Sequence, residues 1–145
     1  MLRTALIALV LAAGCATAPA QADETATVTV QLTGLQPQGS VMMQVFNSAE
    51  GYGSGDQLTA RQIPITAASA SVSFENVPPG QYAIRLFHDV NGNGQLDTNP
   101  FGIPTEPFAF SNNARGRFGP ASWEDAVFTV TAGPNVHQIT IPGSN

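Results

Sequence analysis

Along most of the chain apolar and polar residues alternate one for one, the period of a β-strand that buries a single face. In TATVTVQLTG, Val28, Val30 and Leu32 fall on one side and Thr27, Thr29 and Gln31 on the other. SVMMQVFN is apolar on both sides, with Val41, Met43 and Val45 opposed by Met42 and Phe46, which predicts an interior strand. EGYGSGD reads as a flexible loop, and LTARQIPI as a strand that Pro64, lacking an N–H to donate, places at a sheet edge. Ala70, Val72 and Phe74 align, the chain turns through Asn76 to Gly80, and Tyr82, Ile84 and Leu86 align on the return, the pattern of a β-hairpin. Ala126, Phe128 and Val130, then Gly133-Pro134-Asn135, then Ile139 and Ile141 predict a second hairpin. No window keeps helical apolar spacing beyond a couple of turns. The fold class that follows is all-β, an antiparallel two-sheet sandwich of about seven strands.

One stretch breaks the pattern. From Asp89 to Asp125 the only strand candidate is a weak one at Pro107 to Phe110, and the segment is rich in Gly, Pro and Asn. It also carries Phe101, Ile103, Phe108, Phe110, Phe118 and Trp123, too many large apolar groups for a disordered linker. The expectation is one long ordered loop region packed on the sandwich, and such loops are disproportionately functional.

That region opens with HDVNGNGQLD. Asp89, Asn91, Asn93 and Gly94 match the first six positions of an EF-hand loop, Gln95 offers a backbone carbonyl at the seventh, and Asp97 stands at the ninth. Oxygen donors at alternate positions wrap a hard cation, and the glycine permits the sharp turn that keeps them pointing inward. The twelfth position, ordinarily a bidentate Glu, is Pro100, so the expected calcium site is weak, with a dissociation constant of roughly 10⁻⁴ to 10⁻³ M. Glu106, carried back by the turn at Gly102 to Pro104, is a candidate for the missing carboxylate. The plainer reading is a reversal through Asn91-Gly92 and Asn93-Gly94, although a simple turn has no use for acids at both ends.

A hydrolase or sugar-acting site would combine His88 with Asp97 or Glu106. However, His88 follows the parity of Tyr82, Ile84 and Leu86, as His137 follows Ile139 and Ile141, which predicts histidines at the edge of the core. No serine, Ser111 included, sits in a nucleophile-elbow pattern, so the expectation is a protein that is not an enzyme. In FSNNARGRFGPASWED, the side chains of Asn112, Asn113, Arg115, Arg117 and Trp123 are the materials of a surface for a protein or carbohydrate partner, binding an acidic group or a sugar. The alternative is a loop whose arginines pair with Glu124, Asp125 or the acids of the 89–97 loop. Met42, Met43 and the many phenylalanines leave a third role open, carriage of a small apolar ligand between the sheets, and core packing accounts for them equally well.

Residues 1–22 have the layout of a secretory signal peptide: Arg3, an apolar run from Ala5 to Ala13, and a small-x-small site at Ala20-Gln21-Ala22. The sandwich domain would then span 23–145. Ala12-Ala13-Gly14 before Cys15 also resembles a lipoprotein box, with a signal over 1–14 and a lipid on Cys15 as the membrane anchor. Either way the expected location is exported, periplasmic or extracellular. Cys15 is the only cysteine, so the domain carries no disulfide. Beyond Arg3 four arginines face ten acids, a formal charge of −6, which argues against nucleic acid or anionic lipid as partner. No later apolar segment is long enough to span a bilayer.

Four motifs together carry a resemblance. The PPGQY turn at Pro78 to Tyr82, HDVNGNGQLD at His88 to Asp97, GIPTE at Gly102 to Glu106 and FSNNARGRFGP at Phe110 to Pro120 resemble the bacterial domain-of-unknown-function family numbered 2141. The similarity runs from about Val28 to Ile141 and implies export and a β fold, with no agreed activity. More loosely, the run from PPGQY into the acidic loop resembles transthyretin-like and carboxypeptidase-regulatory-like sandwiches. It also resembles adhesin repeats in which a related loop holds calcium, implying an immunoglobulin-like or transthyretin-like sandwich.

Overall fold

A computed structural model describes residues 24–143; the expected signal peptide and Cys15 lie outside them. Alternation becomes burial directly. Strand β1 (Ala26–Thr33) buries Ala26, Val28, Val30 and Leu32, and β2 (Ser40–Phe46) buries Val41, Met43 and Val45 on its inner face. The remaining strands are β3 (Thr59–Pro64), β4 (Ser69–Val77), β5 (Gly80–Asp89), β6 (Phe108–Phe110), β7 (Phe128–Val130) and β8 (Gly133–Thr140). One sheet has the order β4-β1-β8, the other β3-β2-β5-β6, and β7 also pairs with β5. The main core fills the space between them, from Val30, Met43 and Ile84 to Ile139. As expected, β2 is interior and β3, with Pro64, is an edge. No helix among the described residues is long and apolar enough to cross a membrane.

Both expected hairpins are corrected. Strand β4 pairs with β1 while β5 pairs with β2, so the turn at Asn76 to Gly80 carries the chain from one sheet to the other. The Tyr82 hydroxyl fixes that crossing by donating to the Pro78 carbonyl at 2.7 Å. Likewise β7 pairs with β5, and β8 lies parallel to β1, the one parallel strand pairing among the described residues. Alternation decides which face of a strand meets the core and leaves its neighbour undecided, so an arch between sheets and a hairpin within one look alike in sequence.

The expected loop at EGYGSGD contains a helix, α1 (Ala49–Ser54). The Ser48 hydroxyl accepts from Gly51 N at its start, and Gly55 closes it in the left-handed conformation. Its glycines hid the caps that define it. Helix α1 delivers Tyr52 to a second, smaller core on the outer face of the β2/β5 sheet, formed with Phe46, Ala83, Phe110, Ala121 and Ala126 and flanked by Trp123. The Arg85 guanidinium lies over the rings of Phe46 and Tyr52, 5.0 and 3.8 Å from their centroids, and donates to the Tyr52 carbonyl. This cluster seats part of the long loop region on the sandwich, together with the short helix α2 (Trp123–Ala126). Phe101, Ile103 and Phe118 stay exposed, so the packing predicted from the aromatics holds for only some of them.

Candidate functional site

Strand β5 ends at Asp89 on the outer face of its sheet. The backbone of Gly39, at the start of β2, comes so close that a Cβ there would lie 2.0 Å from the Asp89 carbonyl oxygen. Asp89 is 1 % exposed, and its carboxylate organises the loop that follows. Oδ1 accepts from the N–H groups of Gly92 (2.8 Å) and Asn93 (3.1 Å), and Oδ2 from Gly94 (2.7 Å). Gly92 and Gly94 both take positive φ, which turns successive N–H groups inward into a nest around the anion. Asn91 Oδ1 accepts from Asn93 N and Asn93 Oδ1 from Gln95 N, each an Asx turn.

The side chains of Asn91 and Asn93 then meet on Asp97, whose two carboxylate oxygens each accept from one asparagine amide. Glu106 returns to the base of the loop through a turn closed by the Thr98↔Pro104 bridge and the Thr105 N to Asp97 O bond. Buried there, its carboxylate accepts from Val90 N (3.0 Å) and Asp97 N (3.2 Å), tying the two ends of the loop together. The sequence placed Glu106 near the loop; the structure gives its oxygens to backbone N–H groups. Among the described residues no three of His, Cys, Asp and Glu gather in a metal-holding group. A cation here would rest on Asp97, two asparagine amides and the Gln95 carbonyl, an all-oxygen set suited to calcium on an exposed rim, with Asp89 buried beneath and its oxygens given to backbone N–H groups.

His88 points the other way. It is fully buried, its Nε2 bonds the Gln38 carbonyl at 2.7 Å, and its Nδ1 has no partner among the described residues. The hydrogen bonds of Asp97 and Glu106 go to the loop, so the two acids and His88 do not assemble.

The FSNNA segment is a clasp. The fully buried Ser111 hydroxyl accepts from Ile84 N at 2.9 Å and donates to the Ala126 carbonyl. Asn112 Nδ2 donates to the carbonyls of Asp125 and Val127, and its backbone N–H donates to His137 Nε2 at 3.1 Å. Asn113 Oδ1 accepts from Thr140 N at 2.8 Å. Three adjacent residues thus cross-link β5, α2 and β8. A family model described as "Uncharacterized protein conserved in bacteria (DUF2141)" matches residues 30–138, or 109 of 145, from within β1 to within β8. The chain belongs to this family. No curated protein and no solved structure matches.

The DUF2141 match takes in the acidic loop and the clasp together. Of the residues expected to form a binding surface, Trp123 instead packs edge-on against Tyr52, and Asn112 is spent on the clasp. Asn113 and Arg115 line one groove, which Arg117 and Trp123 do not. The alternative pairing of the arginines is also missing: among the described residues neither Arg115 nor Arg117 makes a hydrogen bond or ion pair. Sequence reading missed Ser111 as a structural cross-link and His137 as an acceptor, since their partners lie 15 to 27 residues away.

His137 gives the clasp a pH dependence. Its ring stacks on Phe128 with centroids 4.1 Å apart, and burial pushes its imidazole below the ordinary 6.5. Accepting from Asn112 N requires an unprotonated Nε2. The unfolded chain therefore takes up this proton first, so the contact's contribution is complete above pH 6.5 and is lost as pH falls through the lower folded value. Between neutral pH and about pH 5 the thermal midpoint is expected to fall further for the native chain than for His137→Gln. Parallel profiles would show that this histidine adds nothing to the acid response.

Proposed function

We propose that this DUF2141 chain is an exported, non-catalytic module of the cell envelope whose Asp89–Asp97 loop takes up calcium, and that the ion braces the segment from Asp89 to Glu106. The observation that carries this reading is the meeting of Asn91, Asn93 and Asp97 above a loop already shaped by Asp89. Bound calcium supplies positive charge at Asp97 and gathers the oxygens of the two amides, which turn from donating N–H to presenting Oδ1. Asp89 and Glu106 hold the backbone in place beneath, so the rearrangement is confined to these two amides and the bonds they make to Asp97, Asn93 N and Gln95 N. The clasp at Ser111 to Asn113 has its own partners, and the brace therefore acts on the loop before β6 and not on the clasp. Export rests on residues 1–22, and in an oxidising compartment the ion does the stapling that a domain without disulfides lacks.

The test is unfolding of the domain in chelator and in ~10 mM calcium. A site in the weak range set by its ligands raises stability by about 1.5 to 3 kcal/mol under these conditions. Asp97→Asn is expected to fold and to lose that response. Identical midpoints in chelator and in calcium would end the proposal.

A further inference from the structure

Strand β6 is the free edge of its sheet, and between it and the C-terminal end of β8 lies an open groove of about 440 Å³. Phe108 and Phe110 form one wall, their rings 5.9 Å apart and edge to face, with Ala109 between them. Thr140 and Pro142 line the groove from the β8 side. The volume falls in the ~300 to 1,000 Å³ range of small-molecule sites. By contrast, the space between the sheets near Val45, Phe74 and Phe128 is about 60 Å³ and suits no apolar cargo.

The polar groups of this groove offer mainly donors. Arg115 is a cation that makes no ion pair or hydrogen bond among the described residues, although the chain carries twice as many acids as bases. Asn113 gives its carbonyl oxygen to Thr140 N and so presents its NH₂ group. The Thr140 hydroxyl is engaged with that of Thr33 at 3.1 Å. The backbone is set in advance. Asn113 is held by the clasp, and the turn after Arg115 closes so tightly that a Cβ on Gly116 would lie 1.6 Å from the Gly119 carbonyl oxygen. An unpaired guanidinium and a spare amide beside a phenylalanine wall complement one kind of molecule, an anionic head on a compact apolar body.

We propose that this groove binds a small organic carboxylate, with its apolar body against Phe108, Phe110 and Pro142 and its carboxylate on Arg115 and Asn113. Arg115 suits a carboxylate because its planar fork offers two parallel N–H donors. The site is separate from the acidic loop and does not depend on calcium.

Octanoate, octanol and octylamine serve as probes of equal length, titrated into the folded domain by calorimetry and by amide chemical shifts, without calcium and then with it. Octanoate is expected to bind in both buffers and to shift amides of residues 108–116 and 140, with the alcohol weaker and the amine silent. Arg115→Gln removes one charge-assisted contact from an exposed residue that has no partner among the described residues, so it should leave the unfolding midpoint alone and weaken octanoate about tenfold. Phe108→Ala should weaken octanoate and octanol alike, and Arg61→Gln, on β3, should change nothing. Octanol binding as tightly as octanoate, shifts confined to the acidic loop, or an Arg115→Gln domain that binds octanoate unchanged would each overturn the proposal. So would no binding by octanoate at millimolar concentration.

Discussion

Asp89→Ala is expected to destabilise the domain by about 3 to 5 kcal/mol in calcium-free buffer. Three backbone N–H groups converge on this one carboxylate, which is almost wholly buried. Hydrogen bonds to a charged group contribute about 1.5 to 3 kcal/mol each, and the sum is reduced because a freed loop lets water reach the amides. Asp89→Asn separates charge from shape. Its amide can still accept from Gly92 and Asn93, but its NH₂ then faces the Gly94 N–H, donor against donor, so about half of the loss is expected. Urea unfolding of the three proteins measures both steps. A loss below about 1 kcal/mol for Asp89→Ala would mean that water serves these amides as well as the carboxylate does.

Ser111→Ala carries the second large effect, about 2 to 4 kcal/mol. On one edge of β5, β7 pairs with Gly80 to Tyr82 and β6 with Arg85 to Phe87, which leaves a gap in the ladder between them. The Ser111 hydroxyl fills that gap, taking the Ile84 N–H and passing its own proton to the Ala126 carbonyl. Alanine would strand a buried donor and a buried acceptor at a fully buried position. Amide exchange gives the sharper readout, because protection should fall at Ile84 well before it falls at Val30, in the other sheet. If Ile84 exchanges as slowly in the variant as in the native chain, the hydroxyl is not the rung it is taken to be.

Strand faces were readable from sequence because the side-chain period is a local property. Ala26 to Leu32 and Val41 to Val45 bury the residues their alternation selects. Strand neighbours were not readable, since the arch at Asn76 to Gly80 uses the same turn residues a hairpin would. The turn of the acidic loop was legible for a similar reason, as Asp89, Asn91, Asn93 and Asp97 bond with one another and with the residues between them. The clasp was opaque. Ser111, Asn112 and Asn113 look like polar surface, and their partners at Ile84, Ala126, His137 and Thr140 leave no trace in the adjacent sequence. The one local sign is the adjacent asparagine pair, since after glycine asparagine is the residue that most readily takes the left-handed conformation both adopt.

The parallel pairing of β1 with β8 also sets an order of events for a chain that emerges N-terminus first. Register runs from Ala26↔Gly133 to Thr33↔Thr140, so β1 waits for the last of the eight strands before its second edge is covered. Until then β1 has only β4, and its other edge is a row of open N–H and C=O groups, a template for pairing with another chain. A closure that spans 107 residues forms late and slowly compared with local contacts. The first sheet is therefore completed only once β8 has emerged, and a chain interrupted before β8 keeps β1 as an open, aggregation-prone edge.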